Sequence, residues 1–174
     1  MRGRPVPFNI KLLLLGLLLP MLLLAGCSSL WQQSKKEAST LKFHLEANPG
    51  PSERTGTASV GRARPVYITI ELEPCIFETH IERASVVDTS DGGFVIVIKF
   101  TQLGAALLES ITSAHRSRRL VIGSRFTEAR WLGAQEILAT NKSGTLIFTP
   151  DATRAETERI VRGLNNLLEA GRMK

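Results

Sequence analysis

Apolar and polar positions change rhythm several times along this chain. From Leu12 to Leu24 apolar residues run almost unbroken, and a polar stretch, Ser28 to Thr40, follows soon after. Leu41-Lys42-Phe43-His44-Leu45-Glu46 then alternates with period two, the pattern of a half-buried strand. Val66 to Leu72 alternates again and predicts Ile68, Ile70 and Leu72 on one buried face. Between these two segments, Asn48 to Arg64 is rich in Gly, Pro and Ser and predicts a mobile loop. His80 to Val87 and Phe94 to Phe100 flank Asp88-Thr89-Ser90-Asp91-Gly92-Gly93. The Asp and Gly residues of that link suit a tight reversal, so the pair predicts a β-hairpin.

From Thr101 the period becomes helical. Leu103, Leu107, Ile111 and Ala114 recur at helix spacing, with Thr101 in the N-cap place. Arg116, Arg118 and Arg119 follow, where cations suit the negative end of the helix dipole. Leu120-Val121-Ile122 predicts a strand. Ala129 to Leu138 fits a helix or a strand, with Trp131, Leu132, Ile137 and Leu138 as core candidates. Thr145 to Phe148 is a short strand. Thr149-Pro150-Asp151 opens the last helix, whose stripe is Ile160, Leu164, Leu167 and Leu168 and whose end is Gly171. This order of elements predicts an α+β fold, a mixed, largely antiparallel sheet with two helices packed on one face.

The start of the chain reads differently. Arg2, Arg4 and Lys11 precede the 13-residue apolar run. A spanning helix needs roughly 20 apolar residues, so the run fits a cleaved export signal better. Leu24-Ala25-Gly26-Cys27 resembles the lipobox of bacterial lipoproteins. The resemblance implies cutting by signal peptidase II before Cys27, with acyl chains on the Cys27 thiol and its new amino terminus. Each buried methylene contributes about 0.8 kcal/mol, and two or more chains anchor stably where one does not. The expected organisation is a lipoprotein signal peptide over 1–26, a polar tether over 27–40 and a folded domain over 41–174. Among enteric lipoproteins an Asp after the cysteine retains the protein in the inner membrane. Ser28 at that position therefore favours the periplasmic face of the outer membrane.

Cleavage changes the charge balance. The whole chain has 22 Lys and Arg against 16 Asp and Glu, a net +6. Three of those cations lie in the signal, so the mature chain has 19 against 16, a net +3. That supports weak affinity for anionic surfaces and no nucleic-acid footprint. With aromatics at 6%, a stacking platform for single strands is not supported either. Once Cys27 is acylated only Cys75 remains, which excludes an intramolecular disulfide. Between Pro74 and Ile76-Phe77, Cys75 reads as a small buried apolar residue rather than a reactive thiol.

Candidate chemistry is sparse. His44, His80 and His115 are far apart in sequence, without the clustered spacing of a zinc site, and read as surface histidines. No HExxH, GxSxG or P-loop pattern occurs. Asp88, Ser90 and Asp91 offer oxygen ligands, but a hairpin turn explains them without calcium. Glu71, Glu73, Glu78 and Glu82 read as a solvated acidic face, and Asn141-Lys142-Ser143 matches a glycosylation sequon only by chance. Arg116, Arg118, Arg119, Arg125 and Arg130 form the densest charge feature. They read as helix-end and solubility charge, with acidic lipid head groups or an acidic partner as the functional alternative. No catalytic residue, metal ligand or cofactor is expected, and Cys27 is the single assigned site.

Three segments carry a resemblance to a known family: GFVIVIKFTQLGAALLESIT from Gly93, RRLVIGS from Arg118, and GTLIFTPDATRAETERIVRGLNNLLEAG from Gly144. Together they resemble the head of the first periplasmic domain of SecD, in the SecDF protein-export family. LKFHLEA and the hairpin before Phe94 extend the likeness back to about residue 40. Family SecD proteins carry six membrane spans, which this chain lacks after its signal. Their LDG turn is replaced by Gly123-Ser124-Arg125. The resemblance therefore implies a non-enzymatic head module on a lipid anchor. Its expected role is to bind unfolded exported polypeptide, Sec subunits or another envelope partner as an accessory to protein export. The alternative is a structural or assembly lipoprotein of the outer membrane unrelated to export.

Overall fold

The computed structural model describes residues 37–48, 50 and 53–172. The signal peptide, Cys27, Ser28 and most of the tether lie outside these residues. Nine strands, two α-helices and a 3-10 turn make up the described chain: β1 (Thr40–Leu45), β2 (Thr55–Val60), β3 (Val66–Glu71), β4 (Ile76–Phe77), the 3-10 turn (Glu78–His80), β5 (Ile81–Asp88), β6 (Phe94–Phe100), α1 (Gln102–Ala114), β7 (Arg119–Arg125), β8 (Ala129–Glu136), β9 (Thr145–Phe148) and α2 (Arg154–Arg172). The α+β class holds. The single sheet expected from sequence is instead three sheets: β4-β1-β7-β8, β5-β6-β9 and the hairpin β2-β3. Their strand pairs are antiparallel throughout.

One main core joins the two larger sheets and both helices. Leu41, Phe43, Leu120, Ile122 and Leu132 enter from the four-stranded sheet, and Ile96, Ile98 and Phe148 from the three-stranded sheet. Leu108 of α1 and Ile160, Val161 and Leu164 of α2 close it. Complete burial of each such side chain contributes about 1.5–3 kcal/mol. The edge of β5 is sealed by a side chain. Asn165 of α2 accepts from the Ala84 N–H at 3.1 Å and donates to the Ala84 carbonyl at 2.9 Å, imitating a neighbouring strand.

The alternation of β1 sends its other side chains, Lys42 and His44, to the opposite face of the four-stranded sheet. Part of that face is covered by the hairpin β2-β3, where Ala58, Ile68 and Ile70 pack on Val121 in a second, smaller core. The hairpin is fastened at its turn. The Arg62 N–H donates to Asp151 Oδ2 at 2.8 Å, and the Arg62 guanidinium pairs with Glu156 at 3.0 Å.

The predicted loop from Asn48 to Arg64 contains β2: Thr55-Gly56-Thr57-Ala58-Ser59-Val60 has only Ala58 and Val60 to bury, and β3 supplies its hydrogen bonds. Leu72 lies beyond β3 and is exposed. The buried line of α1 is Gly104, Leu108 and Thr112, with Leu107 and Ile111 beside it, while Leu103 is 63% exposed. The cause is a close approach at Gly104, where a methyl would collide with the His80 carbonyl. Thr101 does cap α1, accepting from the Gly104 N–H at 3.1 Å. Helix α2 starts later than Pro150: Thr153 caps it, its hydroxyl accepting from the Glu156 N–H at 3.3 Å, and Gly171 lies within its last turn. The ambiguous segment after Ala129 is strand β8.

The folded unit also begins earlier than residue 41. Glu37 pairs with Arg159 at 2.9 Å and Arg162 at 3.1 Å on α2, and the buried Ser39 hydroxyl donates to the Ile160 carbonyl at 2.6 Å. Gly163 makes room for this crossing, since a Cβ there would lie 3.1 Å from the Ser39 nitrogen. Burial alone would raise the Glu37 pKa. Hydrogen bonds and charge from Arg159 and Arg162 more than offset that and hold the carboxyl below its ordinary value.

Candidate functional site

The uncovered part of the outer face of the four-stranded sheet is a groove of about 440 Å³. Strand register builds it. Thr40 lies opposite Arg125, Lys42 opposite Gly123, and His44 opposite Val121 across β1 and β7. On the other side of β7, Gly123 lies opposite Trp131 and Arg125 opposite Ala129, after an irregularity between Ile122 and Gly123. Paired residues in an antiparallel sheet share a face. Lys42, His44, Arg125 and Trp131 therefore stand together around a glycine floor.

Trp131 and His44 form the inner wall, their rings edge to face with centroids 5.2 Å apart. The His44 Nδ1 lies 2.8 Å from the Glu71 carbonyl, so that nitrogen carries a proton and donates it. Burial pushes the His44 pKa down, the Glu71 carbonyl partly counters this, and the Lys42 charge lowers it further. His44 is 8% exposed, so the expectation of a surface histidine is corrected. The hairpin β2-β3 covers it, and period two alone does not reveal that the polar face of β1 is roofed.

Charge in the groove is uneven. Arg130 is engaged, pairing with Glu156 at 3.4 Å and donating to the Asp151 carbonyl. Lys42 and Arg125 are exposed and make no ion pair or side-chain hydrogen bond among the described residues. Glu78 is the acidic residue of the lining, and its Oε2 is buried without a hydrogen-bond partner among the described residues. Ser124 also borders the groove. Its register partner is the fully buried Leu41, so its hydroxyl lies on the core side, likewise unpartnered.

The other residues singled out from sequence are dispersed. His80 Nδ1 accepts from the Phe77 N–H at 3.2 Å, and His115 ends α1. Cys75 is half-buried, its thiol donating to the Phe43 carbonyl at 3.2 Å. Burial pushes the thiol pKa up to about 11, a state without thiolate reactivity at neutral pH. Asp91 organises the β5-β6 turn, accepting from Thr89 and from the Gly93 N–H, while Asp88 pairs with Arg154. Glu82 pairs with Lys99 at 3.0 Å. In the Asn141-Lys142-Ser143 stretch, Asn141 donates to the Thr145 carbonyl at 2.7 Å. Among the described residues no group of three or more His, Cys, Asp or Glu side chains is placed to hold a metal ion.

The arginine cluster does not form one patch. Arg116 reaches Thr140 at 3.4 Å and Arg118 donates to the Glu46 carbonyl at 3.3 Å. Arg119 makes a two-pronged pair with Glu46, at 2.9 and 2.5 Å, and this pair holds the Glu46 carboxyl below its ordinary pKa. Arg119 and Arg125 sit at opposite ends of β7, so only Arg125 and Arg130 reach the groove. Sequence reading missed the groove as a unit. Lys42 and His44 share a face by simple alternation, but Gly123 and Trp131 join them only through cross-strand register.

No protein-family model matches the sequence, and no curated protein matches it. Solved structures do match. One, described as a membrane component SecDF that enhances protein export, aligns with a TM-score of 0.56 and 16% identity over 80% of this chain and 67% of that chain. A second, of SecDF in a super-membrane-facing form, aligns with a TM-score of 0.56 and 16% identity over 78% of this chain and 20% of that chain. At this identity the likeness is one of backbone architecture, and by it the chain has a SecD-like fold.

Proposed function

We propose that this chain is a lipid-anchored protein of the cell envelope that binds extended polypeptide as a non-enzymatic accessory to protein export. The observation that carries the reading is the SecD-like fold, since the matched structure is described as enhancing protein export. The anchor is assigned to Cys27 and the position to the periplasmic face of the outer membrane, from the lipobox and Ser28.

The fold offers a surface of the right kind. Strand β2 has β3 as its one strand neighbour among the described residues. The Leu72 N–H donates to the Arg54 carbonyl at 2.9 Å, and in an antiparallel ladder that register alternates. Gly56, Ala58 and Val60 then bond to β3, and Thr57 and Ser59 direct their backbone groups away from it. An extended chain added there gains main-chain hydrogen bonds without sequence demands, which suits a binder of many exported chains. Edge β5, sealed by Asn165, offers no such ladder.

The test is in-cell crosslinking from a photoreactive residue placed at Ser59, which is exposed, with Ser113 on α1 as the control position. Recovery of nascent exported chains or Sec subunits from Ser59 and not from Ser113 is expected. Recovery of neither class from Ser59 contradicts the reading.

A further inference from the structure

We propose that the groove on the outer face of the four-stranded sheet binds the phosphate of an anionic phospholipid in the membrane that holds the anchor. This inference rests on the lipid-anchored reading above. Lys42 and Arg125 are diagonal neighbours across β1 and β7, because Thr40 faces Arg125 and Lys42 faces Gly123. Diagonal side chains on adjacent strands stand about 7–8 Å apart, a span that one phosphodiester with its ester oxygens fills. Elsewhere in the fold, arginines such as Arg119, Arg154, Arg159 and Arg162 meet carboxylates. Lys42 and Arg125 meet none among the described residues, and Glu78 alone opposes them in the lining. Two like charges held side by side, neither ion-paired among the described residues, raise the local positive potential and favour an anion.

The remaining features suit a lipid better than a free ion. Gly123 lets the Trp131 ring lie against the groove floor, where a Cβ would meet it at 3.1 Å. The Thr40 hydroxyl stands on the same face, opposite Arg125, as a neutral donor. Trp131 borders the groove as a half-buried indole, the side chain that settles at membrane interfaces with its ring among head groups.

Chain direction supplies the second argument. The domain begins at Glu37, clamped to α2, and Thr40 in the groove lining is three residues later. Residues 28 to 36 separate Glu37 from Cys27, and nine residues span at most about 30 Å. An anchored domain therefore keeps this groove within reach of head groups, at the high effective concentration of a tethered pair. A site of weak intrinsic affinity is then occupied, and occupancy turns the uncovered sheet face toward the bilayer.

The test uses the full acylated protein with Trp31→Phe, which leaves Trp131 as the reporter. The protein is placed on phosphatidylcholine vesicles with or without phosphatidylglycerol, and quenching of Trp131 by a head-group spin label is read. Quenching that requires phosphatidylglycerol is expected, weakened about fivefold by either Lys42→Gln or Arg125→Gln and unchanged by Arg116→Gln. Both lining variants remove unpaired charges, so their melting curves follow the parent's. Equal quenching on both vesicles, or no loss in either lining variant, overturns the proposal. Saturation of the Trp131 response by inorganic phosphate without vesicles also overturns it, in favour of a free-phosphate site. Flotation separates the two readings. A chain that floats only with phosphatidylglycerol fails as an anchored lipoprotein while supporting the groove. One that floats with both vesicles without distinguishing them at Trp131 keeps the anchor and loses the groove.

Discussion

The ring of Trp131 on β8 lies over Gly123 on β7, so that a Cβ added to Gly123 would meet it at 3.1 Å. This cross-strand contact sets both the floor and the wall of the groove. It also gives the glycine a reason to follow the apolar run Leu120-Val121-Ile122. Gly123→Val should displace the indole, cost about 1–3 kcal/mol of stability through overpacking, and shift Trp131 emission. Urea unfolding with fluorescence of the Trp31→Phe background checks this. A variant as stable as its parent with unchanged emission contradicts the assignment.

His44 predicts a pH dependence whose sign follows from burial. Its folded pKa lies below 6.5, so the unfolded chain binds a proton more readily. Stability is complete above about pH 6.5 and falls as the pH drops toward the depressed folded value. Glu37 and Glu46 are depressed from 4.5 and add their loss only below about that pH. Thermal melts between about pH 7 and 5 should therefore fall in the parent and flatten in His44→Gln. The variant should also lose about 1 kcal/mol at pH 7 if its side chain no longer reaches the Glu71 carbonyl. A parent melt that is level across this window refutes the buried, neutral assignment.

Asn165 and Ala84 make the corresponding prediction for the β5 edge. Asn165→Ala leaves the Ala84 N–H and carbonyl without their partner and should cost about 1–3 kcal/mol. Hydrogen exchange at the Ala84 amide should accelerate more than at Ile98 in the middle of β6. Unchanged protection at Ala84 shows that the side chain is not sealing the edge.

Much of the architecture was legible because it is written in local period. Alternation gave β1, β3 and the β5-β6 hairpin, and Thr101 marked the start of α1 to the residue. What escaped depends on neighbours distant in sequence. Strand β2 carries small and polar residues and exists because β3 supplies its ladder and Val121 its packing surface. The stripe of α1 is displaced because Gly104, invisible to an apolar count, is where that helix meets His80. His44 is buried by a hairpin whose roofing of β1 no spacing rule foretells, and the groove exists only through the register of β1, β7 and β8. The SecD likeness was readable in three segments and extends in three dimensions over 80% of the chain.

Both functional proposals depend on what fastens the domain to the envelope. The most direct measurement is the intact mass of the native protein extracted from membranes. The account predicts a chain that begins at Cys27, with the mass of diacylglycerol and, where the amino group is also acylated, a third acyl chain. A chain that still carries residues 1–26 and no lipid adduct contradicts it.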